Sequence, residues 1–363
     1  METRHRTVVG DAGAMSAVAD DAVDLVVTSP PYPMIELWDE QFAAQSDAVA
    51  SALDAADGER AFGAMHDVLD AVWREVARVL RPGGVAAVVV GDATRSLGDR
   101  FRVYPNHARV LDAFESLGFD PLPDVLWRKP TNGAAKFMGS GMVPPNAYVT
   151  LEHEHVLLFR NGPARRAFDP GETRRYESAY FWEERNRWFS DVWTDVRGAR
   201  QARAQGDNTA PTASATPNDT DAARDRTAAF PFEIPYRLVC MYSVYGDTVL
   251  DPFLGTGTTA LAAMVAGRDS VGYELDADIL AALDERVADL PERSERVVAE
   301  RLEAHRDFVE ERRADGETFG YEAAHYDFPV RTRQEREILF RTVDDVTRTD
   351  DGYRVAYEPY ESR

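Results

Sequence analysis

A glycine-rich turn between a strand and a helix constrains the fold of this chain more than any other feature. Residues 248–250 favour a strand, the segment Asp251–Thr259 contains two glycines, and residues 258–266 are apolar enough for a buried helix. Gly255 and Gly257 allow the backbone to approach a ligand closely. Open α/β sheets bind their ligands at the carboxyl ends of the strands. We therefore expect a ligand site where this turn leaves the sheet.

An acidic residue follows the turn at a distance typical of nucleotide sites. Glu274 stands nineteen residues after Gly255, at the end of the predicted strand 270–273. A carboxylate there can accept hydrogen bonds from the two hydroxyls of a ribose. The pattern also fits a nicotinamide-dependent enzyme, or a turn that only packs against the sheet. A phosphate-binding P-loop is not expected, because no Gly-Lys-Ser/Thr follows the glycines.

The remainder of the first 270 residues alternates between segments that favour strands and segments that favour helices. Strands are expected at 7–9, 23–28, 85–90, 125–127 and 156–159, and helices at 61–80 and 106–117. The segment Arg81-Pro82-Gly83-Gly84 is expected to end the helix before it. Alternating strands and helices predict a doubly wound, mostly parallel sheet with helices on both faces.

A second motif, Thr28-Ser29-Pro30-Pro31-Tyr32, follows the predicted strand 23–28. Proline cannot continue a central strand, so the chain leaves the sheet here. An exocyclic amine of cytosine or adenine is a poor nucleophile, because its lone pair is delocalised into the ring. The hydroxyl of Ser29 and the carbonyl of Pro30 can accept hydrogen bonds from that amine and free its lone pair. Tyr32 offers a ring on which a flipped base can stack, although a plain proline-rich turn is the alternative.

Together the two motifs resemble the amino-methylating DNA methyltransferases of the permuted beta group, in which the catalytic motif precedes the cofactor motif. Further segments that resemble this family are Val9-Gly10-Asp11, Leu80–Gly84, Trp127-Arg128-Lys129-Pro130, Glu154–Phe159 and Phe230–Pro235. The resemblance covers most of residues 7–285. It implies a Rossmann-like class I methyltransferase fold, S-adenosylmethionine as cofactor and double-stranded DNA as substrate. A cognate restriction endonuclease is an expected partner.

The resemblance also implies a role for individual residues. The expected catalytic residues are Ser29, Pro30, Pro31 and Tyr32. The expected cofactor contacts are Asp11, Thr28, Phe230, Asp251, Phe253, Gly255, Gly257, Thr258 and Glu274. The expected DNA contacts are Trp127, Arg128, Lys129, Lys136, Arg185 and Arg187.

The identity of the methylated atom depends on Ser29 and on the lone cysteine. Methylation of cytosine carbon-5 needs a cysteine nucleophile, and Cys240 lies in an apolar run far from any Pro-Cys motif. Family members with serine at the position of Ser29 mostly methylate cytosine, and those with aspartate or asparagine mostly methylate adenine. The resemblance thus implies cytosine N4, with adenine N6 as the alternative. A catalytically inactive DNA-binding regulator on the same scaffold is a further alternative, and so is methylation of RNA or of protein glutamine.

The charge is unusual for a protein that binds nucleic acid. The formal net charge is −22, and Lys129 and Lys136 are the two lysines among 41 lysine and arginine residues. Acid excess with scarce lysine resembles the proteins of salt-loving organisms. At about 1 M salt the Debye length is about 3 Å, so a negative surface repels DNA little.

Other expectations concern location and metals. The sequence has neither an apolar run of about 18 residues nor a signal peptide at residues 1–11, so a cytoplasmic protein without a membrane segment is expected. No metal is expected, because His153 and His155 have no further ligands near them in the sequence. The oligomeric state does not follow from the sequence.

Four divisions of the chain are expected. They are a catalytic half at 1–160, a target-recognition region at 161–224, a cofactor-binding half at 225–294 and a C-terminal extension of unassigned role at 295–363. The recognition region is rich in arginine, which can contact the major groove, and from about residue 199 it has little to bury. Its tryptophans, Trp182, Trp188 and Trp193, could contact DNA or form a small core.

Overall fold

The computed structural model describes residues 1–129, 142–196 and 230–361, together with the backbone of 138–139. The helices are α1 Asp39–Gln45, α2 Asp47–Asp54, α3 Gly58–Val79, α4 Asn106–Ser116, α5 Thr173–Glu177, α6 Trp182–Trp188, α7 Glu233–Tyr242, α8 Thr258–Val265, α9 Ala277–Val287 and α10 Leu290–Ala314. The strands are β1 Glu2–Val9, β2 Val23–Thr28, β3 Leu80–Val90, β4 Ala93–Leu97, β5 Arg100–Tyr104, β6 Phe119–Arg128, β7 Met138–Gly139, β8 Ala147–Tyr148, β9 His153–Asn161, β10 Val192–Trp193, β11 Thr248–Asp251, β12 Asp269–Glu274, β13 Tyr321–Glu322, β14 Pro329–Val330, β15 Arg341–Thr349 and β16 Gly352–Pro359.

Ten of the strands form one sheet in the order β10-β6-β9-β3-β2-β11-β12-β1-β16-β15. The five central strands, β3, β2, β11, β12 and β1, are mutually parallel. Strand β9 is antiparallel to both of its neighbours. The prediction of a doubly wound, mostly parallel sheet is confirmed.

The central strands are buried on both faces, as their continuous apolar runs predict. Along β3, Ala87 and Val89 pack into one hydrophobic core, whereas Val88 and Val90 pack into the other. Successive side chains of a strand point to opposite faces, so each core receives every second residue. Helices α3 and α4 cover the second core, and α7 and α8 cover the first.

The boundary between α3 and β3 differs from the prediction. Helix α3 ends at Val79, but Arg81-Pro82-Gly83-Gly84 lies inside β3, which begins at Leu80. The register with β2 shifts between Val23 and Leu25, and this irregularity accommodates the additional residues.

The segment beyond residue 295 belongs to the same body as the sheet. Strand β16 pairs antiparallel with β1, and β15 pairs with β16. Helix α10 and residues 326–340 enclose Phe181 in a third hydrophobic cluster. Within the described ranges, no helix combines the length and the apolar character that crossing a bilayer requires.

Candidate active site

The fold brings the two sequence motifs to one edge of the sheet. Parallel strands β2, β11 and β12 end side by side at Thr28, Asp251 and Glu274. The Thr28 hydroxyl donates to Asp251 Oδ1 over 2.6 Å, although the two residues are 223 positions apart in the chain. The predicted catalytic and cofactor segments therefore lie side by side at the carboxyl ends of the strands.

Glu274 holds the glycine-rich turn in shape. Its Oε2 accepts from the backbone N–H of Gly255 over 2.8 Å, and its Oε1 accepts from that of Asp276 over 3.1 Å. Gly255 and Gly257 have φ values of +53° and +80°, a region that L side chains rarely adopt. A Cβ at Gly257 would also lie 2.6 Å from Leu283 Cδ1. The turn therefore needs glycine at both positions, and a half-buried carboxylate remains beside it.

Asp251 also stabilises the glycine-rich turn through hydrogen bonds. Its Oδ1 also accepts from the backbone N–H of Phe253 over 3.0 Å. Burial raises the pKa of Asp251 to about 6, while the hydrogen bonds from Thr259 and Thr28 act in the opposite direction. Because Thr28 and Asp251 are both buried, they shape the loop. Their direct contact with a cofactor stays a prediction.

The remaining predicted cofactor residues surround this turn. Asp11 Oδ1 accepts from Gly13 N over 2.7 Å, and the neighbouring Gly10 N donates to the backbone oxygen of Glu274. Phe253 packs edge-on against Trp73 at a centroid distance of 5.8 Å. The hydrogen bond from Gly10 places the segment that carries Asp11 beside Glu274.

Arg286 is a residue of this site that sequence reasoning missed. Its Nη1 on α9 donates to Thr256 O over 2.7 Å and to Thr258 Oγ1 over 3.1 Å. Burial, followed by the charge of Arg293, lowers the pKa of Arg286 to about 10. The guanidinium therefore stabilises the glycine-rich turn through hydrogen bonds to Thr256 and Thr258. The spacing of 28 residues from Thr258 gives no local signal of this contact.

A cavity of about 320 Å³ adjoins the proline motif. Its lining includes Pro30, Tyr32, Trp38, Glu154 and Phe230. The Ser29 hydroxyl lies 3.1 Å from the Tyr32 hydroxyl. Phe230 was predicted to lie near the cofactor, and the structure places it in this cavity. Trp38 and Glu154 were not among the predicted site residues.

Buried polar side chains support the proline motif. Asn106 Nδ2 donates to Pro33 O over 3.1 Å and to Gly91 O over 2.9 Å. His66 Nε2 lies 3.1 Å from Asn106 Oδ1, and burial lowers the pKa of His66 to about 4. The neutral ring can therefore donate to the amide oxygen. Met34, directly after this segment, has a φ of +68°, which is rare for a residue other than glycine.

The predicted DNA contacts at the end of β6 differ from one another in their surroundings. The prediction for Trp127 is wrong, because the ring is 1% exposed and its Nε1 donates to Val196 O over 2.9 Å. The side chain of Arg128 is 63% exposed and pairs with Glu152. Lys129 lines the cavity and forms an ion pair with Glu154. Lys136 lies outside the described residues.

The segment 161–224 is described as far as Val196, and its parts lie in different places. Arg166 contacts Asp24 and Asp247, at the amino ends of β2 and β11, which is the edge opposite the cavity. Trp188 and Trp193 are buried in the core, so the structure favours a packing role for both.

The two predicted recognition arginines precede, in the chain, the short strand that pairs with β6. Arg185 and Arg187 are exposed in the last turn of α6. The chain then enters β10, which pairs with β6 at Leu126 and Trp127. A role in recognition stays a prediction for this part of the segment.

The histidines have closer neighbours than the sequence suggested. Asp92, His107 and His155 offer ligand atoms within 4.8 Å of one another. Both oxygens of Asp92 lie 2.8 Å from His107 Nδ1, and the rings of His107 and His155 stack at 4.2 Å. Asp92 and His107 are distant from His155 in the sequence, and the fold brings them beside it. Asp92 holds the His107 ring, whereas His155 Nδ1 lies 3.6 Å from Asp124 Oδ2 and has no hydrogen-bond partner among the described residues.

Comparison with known proteins identifies the family. The model of a DNA methylase family, named for N6 and N4 methylation, matches residues 23–285. The chain belongs to this family. It is 46% identical over 340 residues to the type II methyltransferase M.MthZI of Methanothermobacter thermautotrophicus, covering 93% of this chain and 90% of the relative. It is 44% identical over 296 residues to M.MjaI of Methanocaldococcus jannaschii, covering 78% and 91%.

Solved structures agree with this assignment. The putative DNA modification methylase TTHA0409 of Thermus thermophilus, in complex with S-adenosyl-L-methionine, is 32% identical, with a TM-score of 0.58 over 78% of this chain and 93% of that chain. PvuII DNA methyltransferase is 16% identical, with a TM-score of 0.50 over 77% and 86%, which shows the fold alone. The chain is an S-adenosylmethionine-dependent DNA methyltransferase. The glycine turn and the Glu274 carboxylate fit the close approach and the ribose of that cofactor.

Proposed function

We propose that this methyltransferase transfers the methyl group to N4 of a cytosine flipped out of double-stranded DNA. The observation that carries the proposal is the position of the Ser29 hydroxyl beside the Tyr32 hydroxyl, next to a cavity of about 320 Å³. The target atom of a paired base is unreachable, so the base must enter such a cavity.

The residues of the cavity can activate an exocyclic amine. Ser29 Oγ and Pro30 O are neutral acceptors for its two hydrogens, and Pro31 restricts the backbone that presents them. Bonds to both hydrogens rotate the nitrogen and free its lone pair. The Tyr32 ring gives the base a stacking surface. The bound cofactor supplies an electrophilic methyl group on its sulfonium.

Serine supports cytosine over adenine through family resemblance. Members with serine at the position of Ser29 mostly methylate cytosine N4. Cys240, which carbon-5 chemistry would require as a nucleophile, is buried in α7 within the apolar core. An amine target therefore fits the described site, and adenine N6 is the outcome that would overturn the cytosine assignment.

DNA contacts are proposed for three exposed arginines, Arg128, Arg185 and Arg187. Arg128 follows the carboxyl half of β6, and Arg185 and Arg187 precede the strand that pairs with it. The net charge of −22 makes this binding dependent on salt, since screening weakens long-range repulsion. An origin in a salt-loving organism remains part of the proposal.

A cognate restriction endonuclease is proposed as a partner. The relatives M.MthZI and M.MjaI are named type II methyltransferases. If the proposal is right, DNA methylated by this protein resists cleavage at one short site by an endonuclease encoded beside it. Cleavage of methylated and unmethylated DNA at equal rates would contradict it.

The methylated base decides the main proposal. Purified protein, duplex DNA and isotopically labelled S-adenosylmethionine are incubated at high and low salt, and the nucleosides are then identified by mass spectrometry. N4-methylcytosine is expected. N6-methyladenine as the sole product would overturn the cytosine assignment. Cofactor and DNA binding without methylated product would favour an inactive DNA-binding regulator.

A further inference from the structure

The catalytic tyrosine has a second polar neighbour that the proposed chemistry has not used. Tyr32 lies between Ser29, at 3.1 Å, and the Glu154 side chain on β9. A Cβ on Gly91 would lie 3.0 Å from Tyr32 Cε2 and 3.2 Å from Glu154 Cγ. Gly91 therefore leaves room for the ring and the carboxylate to pack together at the cavity wall.

The charge distribution orients the Tyr32 hydroxyl. Burial is the main cause of the raised pKa of Tyr32, and the charge of the neighbouring Glu154 raises it further. The phenol is therefore neutral and keeps its proton. A carboxylate only accepts hydrogen bonds, so the single Tyr32 proton is directed toward Glu154. The phenol oxygen is then free to accept from Ser29.

This polarity determines what Ser29 can do. If the Ser29 proton is donated to Tyr32, both remaining lone pairs of Ser29 Oγ are acceptors. They are then available for an N–H of the target amine. Hydrogen bonds in a chain polarise one another, so the charge of Glu154 strengthens the acceptor at the far end. A neutral serine thereby gains part of the character of a carboxylate.

We propose that Glu154 is a positioning residue that directs a chain of hydrogen bonds from the target amine through Ser29 and Tyr32. The inference rests on the proposed amino methylation, but it holds for either amine. During transfer the amine nitrogen forms a bond to the methyl carbon while the sulfur–methyl bond breaks, and the sulfonium becomes a neutral thioether. The methylated nitrogen carries one proton too many. Ser29 takes this proton and passes its own to Tyr32, and Tyr32 passes its own to Glu154.

Lys129 completes this arrangement. Its Nζ contacts Glu154 Oε1 and lies 4.7 Å from the centroid of the Trp127 ring. The lysine supplies the counter-charge for a carboxylate that is 9% exposed. Lys129 was predicted to contact DNA, and this stays a prediction, since its side chain is 35% exposed and lines the cavity.

A double-mutant cycle tests the chain. Single-turnover transfer to duplex DNA is measured for wild type, Tyr32→Phe, Glu154→Gln and the double variant. Each single change is expected to slow transfer by roughly 10- to 100-fold, as for one transition-state hydrogen bond. The double variant should be no slower than the slower single variant, because both changes break the same chain. Losses that multiply would overturn the proposal.

A second cycle keeps the test decisive if Glu154→Gln does not fold. In a Ser29→Ala background, Tyr32→Phe should cause little additional loss, whereas a purely stacking role for Tyr32 predicts no loss in either background. Glu184→Gln is the matched control, since Glu184 is a buried carboxylate that pairs with Arg301 and is not among the lining residues of the cavity. It should lower stability without coupling to Tyr32→Phe.

Two further readouts do not depend on turnover. Calorimetry should show the same affinity for S-adenosylmethionine in wild type, Tyr32→Phe and Glu154→Gln. In protein labelled with ¹³C-tyrosine, the Tyr32 resonance should titrate at lower pH in Glu154→Gln than in wild type, and unchanged titration would contradict the proposal. If wild type yields N6-methyladenine, the cytosine assignment fails, while the cycles still decide the chain.

Discussion

The two edges of the central parallel strands use their charged residues in opposite ways. At the amino edge, Asp24 and Asp247 are buried acids that face Arg81, Arg166 and Arg174. Both carboxylates there meet a guanidinium, so the charges are neutralised within the fold. The ion pairs at this edge therefore hold parts of the fold together.

At the carboxyl edge, Asp251 and Glu274 accept from backbone and hydroxyl groups. Backbone N–H groups of Thr248 and Val244 also donate to Asp24 and Asp247 at the amino edge, so the guanidinium partners are what distinguish the two pairs. Asp251 binds Thr28 and Phe253 N, and Glu274 binds Gly255 N. These hydrogen bonds fix the shape of the glycine-rich loop. Among the described residues, no arginine lies within salt-bridge distance of the Asp251 or Glu274 carboxylate. The two pairs of acids therefore differ in their cationic partners. Asp24 and Asp247 meet guanidinium groups, whereas Asp251 and Glu274 hold the loop at the edge where the cofactor is expected.

The largest expected effect is on stability at the amino edge. Arg166→Ala would remove the one guanidinium described in contact with both Asp24 and Asp247, which are 5% and 1% exposed, and would leave them Arg81 and Arg174. Breaking a buried ion pair costs about 3–5 kcal/mol. Denaturant unfolding should show this loss, with activity retained per folded molecule. Arg165→Ala, at an exposed neighbour, is the control, and equal stability of both variants would remove the distinction between the edges.

The second effect is on catalysis at the carboxyl edge. Ser29→Ala should slow methyl transfer by about 10²-fold, or about 2.7 kcal/mol, because one acceptor of the amine is lost in the transition state. Cofactor affinity and unfolding free energy should hardly change. Single-turnover kinetics and calorimetry measure these quantities. The exposed Ser96 provides a control as Ser96→Ala, and a matching loss there would refute the assignment.

The third effect is on cofactor binding. Glu274→Ala should weaken binding of S-adenosylmethionine by roughly 1–3 kcal/mol, since both the ribose acceptor and the brace on Gly255 are removed. Titration calorimetry gives the affinity directly. Glu285→Ala, at an exposed position on α9, should bind as wild type does. Unchanged affinity in the Glu274 variant, or tight binding of a nicotinamide dinucleotide, would reject this role.

The smallest effect concerns DNA binding. Arg185→Ala should weaken DNA affinity by less than about 1 kcal/mol at moderate salt and reduce the slope of log K against log salt by about 0.9, as expected for one phosphate contact. Fluorescence anisotropy over a salt series measures the slope. Arg165→Ala, at the amino edge, should leave it unchanged. Equal salt slopes for Arg185→Ala and Arg165→Ala would indicate that DNA does not contact Arg185.

Local patterns predicted the scaffold and the centre of the site. The glycine turn and the proline motif each follow an apolar strand, and the fold joins them through Thr28 and Asp251. Their proximity follows from parallel strands, whose carboxyl ends share an edge. Glycine spacing and Glu274 could therefore be interpreted without knowledge of distant contacts.

The residues that the sequence did not reveal act across long distances. Glu154, Asn106 and Arg286 reach the site from other elements, and their spacing from the motifs has no period. The burial of Trp127 depends on Val196 and its neighbours, which cover it from another part of the chain. The alternation of Tyr353, Val355 and Tyr357 was a period-two signal for β16 that went unassigned.

The position of β1 has a consequence for how the protein reaches this structure. Its two partners, β12 and β16, lie at residues 269–274 and 352–359. Residues 2–9 therefore leave the ribosome long before either partner strand, and they cannot complete their hydrogen bonds until β16 has been synthesised. Closing such long loops before contacts form slows folding. The segment must wait as an unpaired strand through most of translation, and a chain stopped before residue 352 would leave one side of β1 open.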